Sequence, residues 1–335
     1  MATPKLTDYK YLIFDVYGTL ADWETGVYTA LQPLLRRFPS ASQWSQAKAI
    51  REVLSIESDI QSQYPSMQYS DVLAKAHEVL EARLSLAEGR SAEAAIGNPP
   101  SIGGSEEQEY NPTTNAADVH TIFGNSIKRW APFPDSSQAL HDLSKRYHLI
   151  VLSNVDHASF AYTHTYLSEG SSPNDHGDIE PTASVYIRPS PNPHPRDLWL
   201  PNQITNSKSP FSLILTAQDT GAYKPSHTGF LAVFDAIQSE PALLVPPGSI
   251  NTPPTLTPTP TPTIEEIKCK TLVVAQSLTH DHVPAKELGI SSVWIDRPGA
   301  ALRPVPPVDV NDFGWRWRFE TLGDMARAVA GELEG

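Results

Sequence analysis

The chain has 335 residues, a net charge of −13 and 40% hydrophobic residues. This length suits two domains of ordinary size or one large α/β domain with insertions. The acidic surface repels phosphate backbones and argues against nucleic acid as a partner. A single cysteine, Cys269, excludes an intramolecular disulfide. The chain shows neither a signal peptide nor an apolar run of membrane-spanning length, so we expect a cytoplasmic protein with no membrane partner.

The first apolar run, Tyr11–Phe14, ends at an acidic residue, Asp15. Such a run predicts a buried parallel strand that leads into a loop. Open α/β sheets bind ligands at the carboxyl ends of their strands, which makes Asp15 a candidate site residue. Gly18 allows a sharp turn, and Thr19 brings a hydroxyl back toward the acid. The alternative is that Asp15 only ends the strand and begins the turn.

A helical segment follows this strand. Apolar residues at helical spacing predict three helices, at about 22–37, 43–63 and 69–86. No second strand follows soon, so 22–125 is predicted as a helical domain. Within it, 87–117 is rich in Gly, Ser, Asn and Pro and predicts a mobile loop.

The remainder of the chain alternates strands and helices. Four apolar runs predict strands at 148–152, 211–215, 271–275 and 292–295, and helices are predicted at 136–147 and 319–333. Two polar, Pro-rich stretches, near 168–210 and 243–264, are predicted as insertions that lack a periodic apolar face. Residues 1–21 and 126–335 together would therefore form an α/β core.

Four short motifs occur in order after these strands. Asp15-x-Tyr-Gly-Thr-Leu resembles the first motif of the haloacid dehalogenase-like hydrolase superfamily. Ser153-Asn154, Lys224-Pro225 and Ser277 to Asp281 resemble the second, third and fourth motifs. The resemblance covers Tyr11–Ala30 and about 132 to the C-terminus, less the two insertions. It implies a Rossmann-like parallel sheet flanked by helices, with a helical cap inserted after the first strand.

Tyr17 decides which branch of the superfamily the chain resembles. Phosphatases carry a second Asp at this position as a general acid, whereas Tyr is typical of the L-2-haloacid dehalogenases. The resemblance implies that Asp15 attacks C2 of a small 2-halocarboxylate and forms an aspartyl ester, which water then hydrolyses. Lys224 and Thr19 would complete the catalytic group, and Asp281 would position or activate the water.

The same resemblance implies a substrate-binding group for a small anionic molecule. Its members are Tyr17, Ser153, Asn154, Ser277 and, to receive the halide, Arg51. An ordinary surface arginine explains Arg51 equally well. Gln276, Leu278 and His280 differ from the residues typical of the characterised enzymes, so a different substrate is also open.

Two other functions stay open on the sequence. No cofactor or metal is implied for a dehalogenase, whereas a phosphatase of the same superfamily would need Mg²⁺. Adjacent loop residues do not face one point, which argues against a metal site at His280, Asp281 and His282. A non-catalytic binding protein on the same scaffold is the third hypothesis. The sequence also leaves open whether the protein forms a homodimer.

Overall fold

The computed structural model describes residues 3–89, 119–173, 184–247, 261–303 and 308–334. The chain forms two compact units, one made of Glu24–Ile127 and one of Met1–Trp23 with Lys128–Gly335. Most of the predicted loop 87–117 and parts of both predicted insertions lie outside the described residues. The expectation that these segments are mobile therefore stays a prediction.

The larger unit is built on a six-stranded sheet whose paired strands are all parallel. The strands are β1 Tyr11–Phe14, β2 His148–Ser153, β3 Phe211–Thr216, β4 Thr271–Ala275, β5 Ser291–Ile295 and β6 Trp315–Phe319, in the order β3-β2-β1-β4-β5-β6. Continuous apolar runs form the first five because both faces of such a sheet are covered. The predicted α/β, Rossmann-like fold is thus confirmed.

Helices accompany the strands along the chain of this unit. They are Ser136–Ser144, His157–Glu169, Ala217–Thr220, Thr228–Ser239, Pro241–Leu244, Ile264–Cys269, Val283–Glu287, Val310–Phe313 and Leu322–Glu334. The central core joins the helix Thr228–Ser239 to the sheet, where Phe230 and Phe234 are buried in one cluster with Ile13, Ile150 and Val273.

β6 is a strand that our sequence analysis did not predict. We expected a helix from Phe319, but the helix begins at Leu322 and Trp315–Phe319 pairs with β5. The alternation Trp-Arg-Trp-Arg-Phe, with half-buried and exposed residues in turn, is the period-two pattern of an edge strand. The signal was present, but it is weaker than the continuous apolar runs of the inner strands.

The described part of the insertion near 168–210 folds against the other edge of the sheet. Trp199 forms an antiparallel bridge with Ile214 of β3. The Ile214 N–H donates to the Trp199 carbonyl oxygen at 3.0 Å. Trp199 and Tyr186 are both almost fully buried. This polar stretch therefore contributes buried aromatic side chains of its own to the core.

The smaller unit is helical in its described residues. Its helices are α1 Trp23–Leu35, which begins one residue before the unit, α2 Gln46–Gln63, α3 Tyr69–Ala87 and a helical stretch at 119–124. Ser45 caps α2 by accepting a hydrogen bond from the Lys48 N–H. Buried residues such as Ile50, Val53 and Leu73 recur at helical spacing and form its core. None of the helices that the structure describes is long and apolar enough to cross a membrane.

Candidate active site

The predicted catalytic residues lie at or beyond the carboxyl ends of neighbouring strands. Asp15 directly follows β1, and Ser153 is the last residue of β2. Lys224 lies in the loop after β3, and Asp281 lies in a π-helix, Leu278–His282, after β4. Since the strands are parallel, their carboxyl ends share one edge of the sheet, where such folds bind ligands.

Lys224 bridges two carboxylates. Its Nζ donates to Asp15 Oδ1 at 2.9 Å and to Asp281 Oδ1 at 2.8 Å. All three residues are buried: Lys224 is 5% exposed, Asp15 is 8% exposed and Asp281 is 2% exposed. The lysine offsets the repulsion that two carboxylates would otherwise exert on each other at short range, and the ionised cluster keeps one net negative charge.

Burial and charge perturb the titration of this cluster. Burial lowers the pKa of Lys224, but Asp15 and Asp281 more than offset this effect and raise its pKa above the usual value. Burial also raises the pKa of Asp281, an effect that Lys224 opposes and Asp15 reinforces. Lys224 therefore stays charged, while Asp281 can exchange a proton closer to neutral pH than an ordinary aspartate.

Thr19 fixes the second oxygen of Asp15. Its Oγ1 donates to Asp15 Oδ2 at 2.7 Å and accepts from the Gln276 N–H at 2.9 Å. Thr19 thus joins the end of β1 to the loop that follows β4. The sequence predicted the contact with Asp15 but not the part played by the Gln276 backbone.

The turn that carries Thr19 is closely packed. Gly18 has a φ of +95°, and a Cβ at this position would lie 3.1 Å from Trp23 Nε1. On the other side, Arg297 Nε and Nη2 donate to the Thr19 carbonyl oxygen at 3.1 and 2.8 Å. The sequence analysis did not identify Arg297 as a site residue. Its one signal was an arginine two residues after the carboxyl end of β5.

Asn154 contacts the backbone of Lys224. Its Oδ1 accepts from the Lys224 N–H at 2.7 Å, and its Nδ2 donates to the Lys224 carbonyl oxygen at 3.1 Å. Both ends of the amide therefore hold the backbone of the lysine, a positioning role that the sequence did not predict. The predicted contact between Asn154 and substrate stays a prediction.

Two buried oxygen atoms at the cluster lack a hydrogen-bond partner among the described residues. They are Ser153 Oγ and Asp281 Oδ2. Buried polar atoms are almost always hydrogen-bonded in folded proteins. These two atoms therefore have unused hydrogen-bonding capacity, and they are candidates for contacts with a ligand.

Tyr17 is half-buried and lies two residues after Asp15. Its hydroxyl lies 3.0 Å from Thr163 Oγ1, and its ring packs edge-on against Trp130 at a centroid distance of 5.3 Å. Burial raises the pKa of Tyr17 far above its usual value. The hydrogen bond with Thr163 lowers this pKa, whereas the charges of Asp156 and Asp15 raise it further. The phenol therefore stays neutral.

The remaining predicted residues behave differently. The Ser277 hydroxyl accepts from the His280 N–H and lies 3.2 Å from His280 Nδ1, so it caps the π-helix, and its predicted contact with substrate stays a prediction. Arg51 is exposed on α2 of the helical unit, and its predicted contact with halide stays a prediction.

The parallel sheet, with charged residues at adjacent strand ends, is the haloacid dehalogenase-like fold. The structure is similar to that of the L-2-haloacid dehalogenase from Xanthobacter autotrophicus, with a TM-score of 0.53 and 15% identity over 96% of this chain and 99% of that one. It is also similar to a defluorinating L-2-haloacid dehalogenase, with a TM-score of 0.53 and 14% identity over 98% and 100% of the two chains.

A third solved structure is the Xanthobacter autotrophicus enzyme with chloropropionic acid covalently bound, with a TM-score of 0.52 and 14% identity over 96% and 99% of the two chains. No protein-family model and no curated protein matches the chain. At these identities the likeness establishes the fold alone.

Proposed function

We propose that the protein is a hydrolase that uses an aspartate nucleophile to displace halide from a small 2-halocarboxylate. The observation that carries this proposal is the bridge from Lys224 to Asp15 and Asp281 at adjacent strand ends. A structural neighbour with chloropropionic acid covalently bound lends support from the same fold.

In the first step, an Asp15 carboxylate oxygen attacks C2 of the substrate. The carbon–halogen bond breaks, its electron pair leaves with the halide, and an ester joins Asp15 to the substrate. Lys224 lowers the repulsion between the Asp15 carboxylate and the substrate carboxylate as the two approach. The Ser153 hydroxyl, which has no partner within the described chain, donates to the substrate carboxylate.

In the second step, water attacks the ester carbonyl carbon of Asp15. Asp281 Oδ2, the oxygen that Lys224 does not bind, accepts the proton of the water. The bond between the carbonyl carbon and the substrate oxygen then breaks, and Asp281 returns the proton to that oxygen. A 2-hydroxy acid leaves, and Asp15 keeps one oxygen from water, whose remaining proton passes to solvent. Covalent catalysis of this kind replaces one difficult displacement by two easier steps.

The observations at Tyr17 favour this reaction over a magnesium-dependent phosphatase. A phosphate ester needs a proton for its leaving oxygen, and a phenol with a strongly raised pKa is a poor acid for that step. Mg²⁺ prefers octahedral coordination by oxygen, and the described cluster offers two carboxylates that already bind Lys224. A binding protein without catalysis would not need the three buried charges.

In this proposal the helical unit serves as the cap, and Arg51 receives the leaving halide. Arg51→Ala should then raise KM or slow halide release, with Arg83→Ala, on α3 of the same unit, as the matched control.

The deciding experiment is a single turnover of 2-chloropropionate in water enriched in heavy oxygen. Asp15 should become labelled and the product should not, because the product oxygen comes from the carboxylate. Label in the first product would contradict the ester mechanism. Activity on p-nitrophenyl phosphate that vanishes with EDTA and returns with Mg²⁺, but not with Zn²⁺, would favour the phosphatase.

A further inference from the structure

The helical unit brings two histidines and a glutamate together. His77 and Glu81 lie four residues apart on α3 and therefore share one face of the helix. His120, in the helical stretch 119–124, meets that face. One ligand atom from each of the three residues lies within 4.8 Å of the other two. The two closest pairs are His77 Nδ1 with His120 Nδ1 at 2.6 Å, and His120 Nε2 with Glu81 Oε2 at 3.7 Å.

These side chains are buried where polar groups are costly. His77 and Glu81 are only 5% and 7% exposed, and the His77 ring packs on Phe123 at a centroid distance of 4.7 Å. A buried imidazole that keeps a nitrogen lone pair is the form of histidine that binds metals.

Glu81 is held in an orientation that suits coordination. Arg37 Nη2 binds its Oε1 at 2.6 Å, which leaves Oε2 to face His120. Carboxylates that bind a metal are commonly held by a hydrogen-bonded outer partner. One turn further along the same face, Ser85 Oγ is buried without a hydrogen-bond partner in the described chain.

From this cluster we propose that His77, Glu81 and His120 bind one Zn²⁺ ion in the helical unit. Two neutral imidazoles and a carboxylate are a ligand set that suits zinc, with water as the fourth ligand. Tetrahedral ligand atoms around zinc lie about 3.3 Å apart. One ligand atom of each residue lies within 4.8 Å of the other two, so side-chain rotations that bring one nitrogen of His120 toward both His77 and Glu81 complete the geometry. The separations of 2.6 and 3.7 Å involve different nitrogens of His120, Nδ1 and Nε2.

The ion would serve as a structural clip. His77 and His120 are 43 residues apart, and the ion would tie α3 to the stretch that follows residue 118. Closing a long segment in this way stabilises a fold by lowering the entropy of its unfolded state. This site was not predicted from the sequence, because its two halves lie far apart in the chain. The competing explanation is a hydrogen bond between the two histidines with no metal.

Metal binding to the full-length protein distinguishes the two explanations. We expect metal analysis to find one zinc per chain, and a chromophoric chelator in competition to give its affinity. His120→Ala should weaken zinc binding by more than about 10-fold, the smallest loss typical even of an outer-shell partner. His227→Ala, at an exposed histidine that pairs with Glu287, is the matched control and should bind zinc as the native protein does.

Co²⁺ provides a spectroscopic readout. The native protein with Co²⁺ should show the visible absorption of tetrahedral coordination, and Glu81→Gln, which preserves size, should lose it. Mg²⁺ should not bind, because it prefers oxygen ligands. Zinc affinity unchanged in both variants, or no zinc binding by the native protein, would overturn the proposal in favour of the hydrogen-bonded pair. If circular dichroism shows that His120→Ala is unfolded, Glu81→Gln decides. None of these measurements depends on turnover.

Discussion

Arg297 holds the carbonyl oxygen of Thr19 with two hydrogen bonds, from Nε at 3.1 Å and from Nη2 at 2.8 Å. Its Nη1 binds Asp135 Oδ1 at 2.6 Å, and its guanidinium lies over the Phe133 ring. The Thr19 hydroxyl in turn donates to Asp15. The orientation of the proposed nucleophile therefore depends on an arginine that lies 278 residues after Thr19 in the chain.

We expect Arg297→Lys to lower kcat while changing KM little. A lysine cannot reproduce the planar fork that binds one carbonyl twice and Asp135 at the same time. A displacement of the nucleophile by about 1 Å costs about 100-fold in rate. Steady-state kinetics on 2-chloropropionate provide the measurement, and Arg303→Lys, at a second arginine that pairs with an aspartate, is the control. A native kcat in Arg297→Lys would show that Thr19 needs no such support.

Asp15→Asn should abolish turnover without unfolding the protein. The amide has nearly the same shape but is a poor nucleophile, and loss of a covalent nucleophile has cost about 10⁶-fold in a comparable case. Halide release measures the effect, and circular dichroism checks the fold. Residual activity close to that of the native protein would mean that another group attacks the substrate.

The pH dependence of ester hydrolysis should report Asp281. In the free protein burial raises its pKa to about 7, with opposition from Lys224 and reinforcement from the charge of Asp15. The ester of Asp15 carries no charge, so burial is the cause that keeps the pKa of Asp281 raised in this step. Below its pKa the carboxyl is protonated and cannot accept a proton from water. The rate should fall about tenfold per pH unit on the acid side and level off above neutrality.

Single-turnover rates across pH, in the native protein and in Asp281→Asn, provide the test. The variant should accumulate the Asp15 ester and lack this acid limb. An acid limb near the ordinary aspartate pKa would contradict the proposed role.

Glu57→Gln should stabilise the protein in alkaline buffer. Glu57 on α2 is buried and accepts a hydrogen bond from Gln61 Nε2 at 2.9 Å. Burial raises the pKa of Glu57 to about 7, although the hydrogen bonds with Tyr69 and Gln61 lower it. A raised carboxyl pKa means that folding favours the protonated form. Stability is therefore greatest below the unfolded pKa of about 4.5, falls as the pH rises toward 7, and stays low above it.

The gain at pH 8 is at most about 3 kcal/mol, and it should vanish near pH 4. Denaturant unfolding at both pH values measures it, with Asp59→Asn, an exposed carboxylate on the same helix, as the control. Equal stabilisation at both pH values would show that the effect does not come from titration of Glu57.

The inner strands and the residues that follow them could be predicted because each signal is local. The run Tyr11–Phe14 is continuously apolar, and Asp15 follows it directly. The same holds for β2 with Ser153. Parallel strands then bring such ends together without any further information from the sequence.

Other features depend on contacts that no local pattern encodes. The two bonds between Asn154 and the Lys224 backbone arise only when the loop after β3 folds against the end of β2. Arg297 looks like an ordinary turn residue until its side chain reaches Thr19. The edge strand β6 has half-exposed residues and therefore a weak pattern.

The central position of β1 has a consequence for the growing polypeptide. Lys224 follows Asp15 by 209 residues, and Asp281 follows Lys224 by another 57. Domains begin to fold while the rest of the chain is still being made. Asp15 and the helical unit are therefore synthesised before the lysine that pairs with Asp15. A nascent or truncated chain that stops before residue 281 lacks the second carboxylate of the cluster, and in the proposed mechanism it has no acceptor for the proton of water.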